Sequence, residues 1–189
     1  MRKDTFTFTG AGGIELCASV WMPDQEPKKV LQVIHGMTEH MGRYARFGED
    51  LCQYGIAVAG FDLRGHGKNA GDSALASFGP GGWQASIEDM HLFYEELQQK
   101  MPGLPHYMLG FSLGSFLLRE YLSKYPNGLA GAIIAGTGHQ PGWLLSVMMT
   151  IVSNEIKKTG YDGVIHLHTT KELFSDEFAD GSLVKRFLP

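Results

Sequence analysis

Apolar residues along this chain first alternate with polar ones and then recur at helical spacing. Thr5 to Thr9 and Ile14 to Trp21 alternate or cluster β-formers on either side of Gly10 to Gly13, the pattern of an antiparallel hairpin. Val30 to Ile34 is a compact apolar run, and Tyr44, Phe47, Leu51 and Tyr54 then follow at helical spacing before Gly55, a natural helix stop. The pair repeats. Ile56 to Phe61 predicts a second buried strand, and Ile87, Met90, Tyr94, Leu97 and Met101 mark an amphipathic helix ended by Pro102 and Gly103. His106 to Gly110 leads into Leu113, Leu117, Leu118, Tyr121, Leu122 and Tyr125 at 3.6 spacing, and Leu129 to Ala135 reads as a further buried strand. Strands alternating with helices predict an α/β fold, a mostly parallel sheet with helices on both faces, opened by the N-terminal hairpin.

After Gly138 the rhythm changes to an apolar helix from about Gly142 to Lys158 and a polar tail from Gly160 to Pro189. We therefore expect a core over 1–140 and a distinct segment over 141–189. Within the tail only Gly163 to His168 has strand character, and Val164 to Leu167 is expected to pair with the outer edge of the sheet or with a second copy.

Composition narrows the function classes. In 189 residues, 43% hydrophobic and 19% charged, there is material for one sizeable core. A formal charge of −4 with no basic run provides no footprint for nucleic acid. Cys17 and Cys52 stand in no metal-binding spacing and are expected to be buried free thiols of a reducing cytoplasm. The N-terminus lacks the continuous apolar run of an export signal, and Trp143 to Val152 is about half the roughly 20 residues needed to cross a bilayer. That segment could contact a membrane surface but could not span it.

The chemistry concentrates at Gly110-Phe111-Ser112-Leu113-Gly114, a G-x-S-x-G placed between a buried strand and an amphipathic helix. A sharp strand-to-helix turn forces its central residue into strained backbone angles, and glycines two positions away give the room it needs. Ser112 would then stand clear of the sheet at a helix N-terminus, placed to attack a carbonyl. An oxyanion needs two donors. The Leu113 amide is one, and the Met37 amide, in the loop His35-Gly36-Met37-Thr38-Glu39-His40 after a buried strand, is the expected second. His35 and His40 are read as polar braces of that loop, with no metal or cofactor expected. In Asp62-Leu63-Arg64-Gly65-His66-Gly67, Asp62 and Arg64 are expected to pair inside the turn.

Taken together, HGMTEHMGRY at 35–44, FDLRGHG at 61–67, GFSLGS at 110–115 and LLREYLSKYP at 117–126 resemble the monoacylglycerol lipase and lysophospholipase group of α/β-hydrolases. The resemblance covers about residues 10 to 145. It implies an α/β-hydrolase-type sheet and a cytoplasmic serine esterase acting on acyl monoesters, with Ser112 as nucleophile, Met37 and Leu113 holding the oxyanion, and a cap begun by Trp143 to Val152. Asn69 replaces the serine usual two positions after GHG. The group continues through two further core strands that deliver the triad Asp and His, and nothing after residue 160 matches either, so the C-terminal part of the fold is expected to be incomplete. His166 or His168, with Asp162, Asp176 or Asp180, would be substitute partners, or a second chain would supply them. Without a base the serine is a weak nucleophile. A second reading is accordingly a catalytically weak or inactive scaffold or ligand-binding protein, self-associating through an unpaired sheet edge.

Overall fold

The structure, a computed structural model, describes residues 1–70 and 77–159. Strands β1 (Arg2–Thr9) and β2 (Glu15–Met22) form the expected antiparallel hairpin, turned by a 3-10 segment at Ala11–Gly13 in which Gly12 and Gly13 have positive φ. There follow β3 (Lys29–Ile34), α1 (Ala45–Cys52), β4 (Ile56–Phe61), α2 (Gly82–Lys100), β5 (His106–Phe111), α3 (Leu113–Lys124) and β6 (Gly131–Ala135). The sheet runs β1-β2-β4-β3-β5-β6, antiparallel up to the β2–β4 pair and parallel beyond. It is the mostly parallel sheet, opened by an antiparallel hairpin, that the strand and helix pattern predicts.

Both faces are covered. On one, Ile87, Met90, Phe93 and Leu97 of α2 and Leu117, Leu118 and Tyr121 of α3 pack with Phe8, Leu16, Val30, Ile34, Ala57 and Phe61. On the other, Trp21, Leu31, Val33 and Val58 meet Met41 and Cys52 beneath α1. The second unit, beginning at Gly138, contains the helix α4 (Gly142–Thr159).

Four expectations change. In α1 the buried residues are Gly48 and Cys52, while Phe47 is partly exposed and Tyr54 lies outside the helix in the open. Gly48 lies against the Trp21 ring, where an added Cβ would come within 2.8 Å, so the helix seats on its glycine and leaves Phe47 at the surface. In α2 the core position between Met90 and Leu97 belongs to Phe93, with Tyr94 only half-buried and its hydroxyl donating to the Gly128 carbonyl. Strand β6 is not buried: among the described residues it pairs with β5 alone, and Ile133 and Ile134 are 48% and 41% exposed. Cys17 is half-buried instead of buried, although both thiols are free. The segment Val164 to Leu167 lies outside the described residues.

Candidate active site

Strand order determines where a site can form. From β3 the chain moves outward to β4, then crosses back to place β5 on the other side of β3, so the carboxyl ends of β3 and β5 are the point where strand order reverses, the usual place for a site in such a sheet. The register there pairs Ile34 with Gly110. The residues that follow, His35-Gly36 after β3 and Ser112 after Phe111 at the end of β5, therefore leave the sheet side by side.

Ser112 links β5 directly to α3 and has φ 51° and ψ −113°, a positive-φ conformation that is strained for any residue with a side chain. Its glycines are required by contact. A Cβ on Gly110 would lie 2.4 Å from the Gly114 carbonyl oxygen, and one on Gly114 would lie 2.1 Å from that of Ile34. Helix α3 thus begins hard against β3 and β5, which fixes Ser112 at its N-terminus. The Ser112 amide donates to the Ala135 carbonyl at 2.9 Å, tying the turn to the end of β6, and the Ser112 carbonyl accepts from the Ser115 hydroxyl at 2.6 Å.

The loop after β3 approaches closely. A Cβ on Gly36 would fall 3.3 Å from the Ser112 Cβ and 3.4 Å from the Phe111 ring. Met37 is exposed, Thr38 has φ 57°, and the Glu39 carboxylate reaches back to accept the Gly36 amide at 2.9 Å and the Tyr44 hydroxyl at 3.1 Å. Burial, together with the Glu39 carboxylate, pushes the Tyr44 phenol well above its ordinary pKa.

His35 does brace this loop, as its sequence context suggests. It is fully buried; its Nδ1 bonds the Gly36 carbonyl at 2.7 Å and its Nε2 accepts the Leu63 amide at 2.9 Å. Burial pushes its pKa down to about 4, outweighing the Gly36 bond that acts in the opposite direction. Asp62 does not pair with Arg64. Its carboxylate accepts the amides of Met41 at 2.7 Å and Lys68 at 2.8 Å, joining the loop after β3 to the loop after β4. Arg64 instead forms a two-pronged pair with buried Asp89 on α2, at 2.6 and 3.0 Å, and also donates to the Ala11 carbonyl. Asp62 is turned toward two backbone N–H groups, one in each loop, whereas Asp89 presents both carboxylate oxygens to the guanidinium fork. Asp89 carried no sequence signal beyond its place on a helix. Asn69 joins the same network, donating to the Asp62 carbonyl and accepting the Cys17 amide at 2.9 Å.

Ser112, Leu113, Gly110, Gly114 and the Gly36–Met37 loop are thus brought together at one place. Among the described residues no histidine hydrogen-bonds the Ser112 hydroxyl. His166, His168, Asp162, Asp176 and Asp180 lie outside the described residues.

The family described as serine aminopeptidase, S33, is matched over residues 25–181. A monoacylglycerol lipase of Mycolicibacterium smegmatis is 29% identical over 141 residues, 71% of this chain and 46% of that protein. A human monoglyceride lipase is 29% identical over 132 residues, 70% of this chain and 42% of its own length. Among solved structures, a carboxyl esterase from Bacillus coagulans has TM-score 0.74 at 27% identity, over 99% of this chain and 65% of its own. A lipase in an open form has TM-score 0.80 at 26% identity, over 95% and 58%. The chain spans less than half the length of these two curated relatives.

Proposed function

The chain belongs to the serine aminopeptidase S33 family of α/β-hydrolases, and from that premise we propose that it is a carboxylic-ester hydrolase in which Ser112 is the acylated nucleophile. The observation that carries this reading is the strained Ser112 turn, held by two glycines whose replacement would drive a Cβ into backbone carbonyls. A serine whose only task was to begin a helix would have no need of positive φ.

In the proposed reaction the Ser112 Oγ adds to the ester carbonyl and its proton passes to a base. The resulting oxyanion is held by the Leu113 and Met37 amides. Collapse expels the alcohol, which takes up the proton, and water then releases the acid from the acyl-enzyme. The substrate class is a monoacylglycerol or lysophospholipid-like acyl ester, supported by the similarity to two monoacylglycerol lipases. Trp143, Leu145, Val147 and Met149 of α4 give apolar surface suited to an acyl chain or to contact with a membrane surface. Among the described residues no helix is long and apolar enough to cross a membrane. Two free thiols accord with a cytoplasmic setting.

Labelling with a fluorophosphonate, followed by turnover of p-nitrophenyl esters of graded chain length, tests the reading. Covalent attachment at Ser112 is expected, and it should vanish in Ser112→Ala together with turnover. An unlabelled Ser112 in the folded chain would overturn it and favour the second reading, a non-catalytic self-associating protein. The exposed β6 is the observation that supports that alternative.

A further inference from the structure

Gly36 and Met37 share one peptide plane, and the two ends of that plane have different partners. The carbonyl of Gly36 bonds His35 Nδ1 at 2.7 Å. In a trans peptide the N–H lies in the same plane as the carbonyl and points the opposite way, so whatever holds the carbonyl also aims the Met37 N–H. The plane stands beside the nucleophile, with the Gly36 Cα close enough that an added Cβ would sit 3.3 Å from the Ser112 Cβ. The imidazole is itself fixed. Its Nε2 accepts the Leu63 N–H at 2.9 Å, and a ring nitrogen that accepts bears no proton, so Nδ1 is the donor. Glu39 secures the preceding peptide by accepting the Gly36 N–H at 2.9 Å.

We infer that His35 is a positioning residue for ester cleavage, its Nδ1–H holding the Gly36 carbonyl so that the Met37 N–H is aimed at the oxyanion formed on Ser112. The inference rests on the reading of Met37 as an oxyanion donor. A hydrogen bond to the carbonyl also polarises the peptide, which makes its N–H a stronger donor. Burial keeps the ring neutral at physiological pH, with its pKa pushed down to about 4, so the arrangement persists where an ordinary histidine would be partly protonated. Both ring nitrogens are occupied, which removes His35 as the general base.

Two substitutions separate the ring's two bonds. His35→Asn places an amide N–H where Nδ1 stood and leaves nothing at Nε2. His35→Gln places an acceptor oxygen where Nε2 stood and leaves the Gly36 carbonyl bare. For the full chain and both variants, the measurements are the limiting rate and half-saturation of fluorophosphonate attachment, the Met37 amide resonance and the unfolding midpoint. We expect His35→Gln to lower the limiting rate about tenfold or more with little change in half-saturation, since one misaimed oxyanion donor acts only in the tetrahedral state. Its Met37 resonance should move, whereas His35→Asn should keep that resonance and react several times faster than His35→Gln. If the rates of the two variants follow their unfolding midpoints, or if the Met37 resonance responds alike to both, His35 is a structural brace only. If the unsubstituted chain does not label, the Ser112 reading fails, and the Met37 resonance alone decides whether His35 sets that peptide.

Discussion

The most constrained atoms near Ser112 belong to a residue with no side chain. A Cβ on Gly114 would meet the Ile34 carbonyl oxygen at 2.1 Å and the His35 carbonyl oxygen at 2.8 Å, and backbone of a central strand cannot move aside as a flexible side chain could. Gly114→Ala should therefore destabilise the fold by about 3 kcal/mol, at the upper end for overpacking, and should lower the urea midpoint accordingly. Gly142→Ala, where an added Cβ meets nothing within 4 Å at the start of α4, should leave the midpoint unchanged or slightly raised. Equal effects at the two positions would show that helix propensity, and not the contact with β3, dominates at 114. At this scale the sequence was informative wherever a glycine stood in for a steric demand. Gly110, Ser112 and Gly114 were legible because their spacing is itself the geometry of the turn. The partner of Arg64 was not, because Asp89 lies 25 residues away and is brought close only when α2 packs against the hairpin turn.

Among the elements, β3, β4 and β5 were read almost to the residue, since a compact apolar run bounded by turn residues and followed by a helical pattern has one reading. Strand β6 has the same composition and the opposite environment: an apolar run reports what could be buried, and whether a neighbour covers it depends on strand order. Helix α2 depends on tertiary charge as well as on its stripe. Asp89, fully buried, accepts from Arg64 twice and from the Ala11 amide at 2.7 Å, so one carboxylate joins α2, the hairpin turn and the loop after β4. Asp89→Asn keeps the shape but leaves the Arg64 charge buried without a counter-charge, and a loss of about 3 to 5 kcal/mol is expected on chemical denaturation. The same substitution should loosen amide exchange in the loop over 62–69. A loss under about 1 kcal/mol would mean that backbone carbonyls alone neutralise Arg64.

The molecule as a whole carries a pH dependence set by two buried histidines, His35 just after β3 and His106 at the start of the neighbouring β5. His106 on β5 accepts from Gln98 at Nδ1 and bonds the Gln32 oxygen through Nε2, while the Gln32 amide is committed to the Met90 carbonyl, so the chain of bonds accommodates one neutral tautomer. Burial pushes the pKa of His106, like that of His35, down to about 4 from 6.5. In the unfolded chain each ring takes up its proton near pH 6.5, and in the fold each resists until about pH 4. Between those limits the unfolded state binds more protons. Each histidine therefore contributes stability that is fully present above pH 6.5 and declines by up to about 1.4 kcal/mol per pH unit as the pH falls toward 4. Carboxylates titrate over part of the same range, so the contribution of one ring is isolated by difference. His106→Gln can still donate to Gln32 and has nothing to protonate. Its deficit in unfolding free energy relative to the unsubstituted chain should be largest at pH 7 and should shrink steadily as the pH is lowered to 4, by an amount read from parallel urea titrations. A deficit that stays constant over that interval would mean that His106 titrates alike in the folded and unfolded states, and that its burial between β3 and α2 carries no penalty for charge.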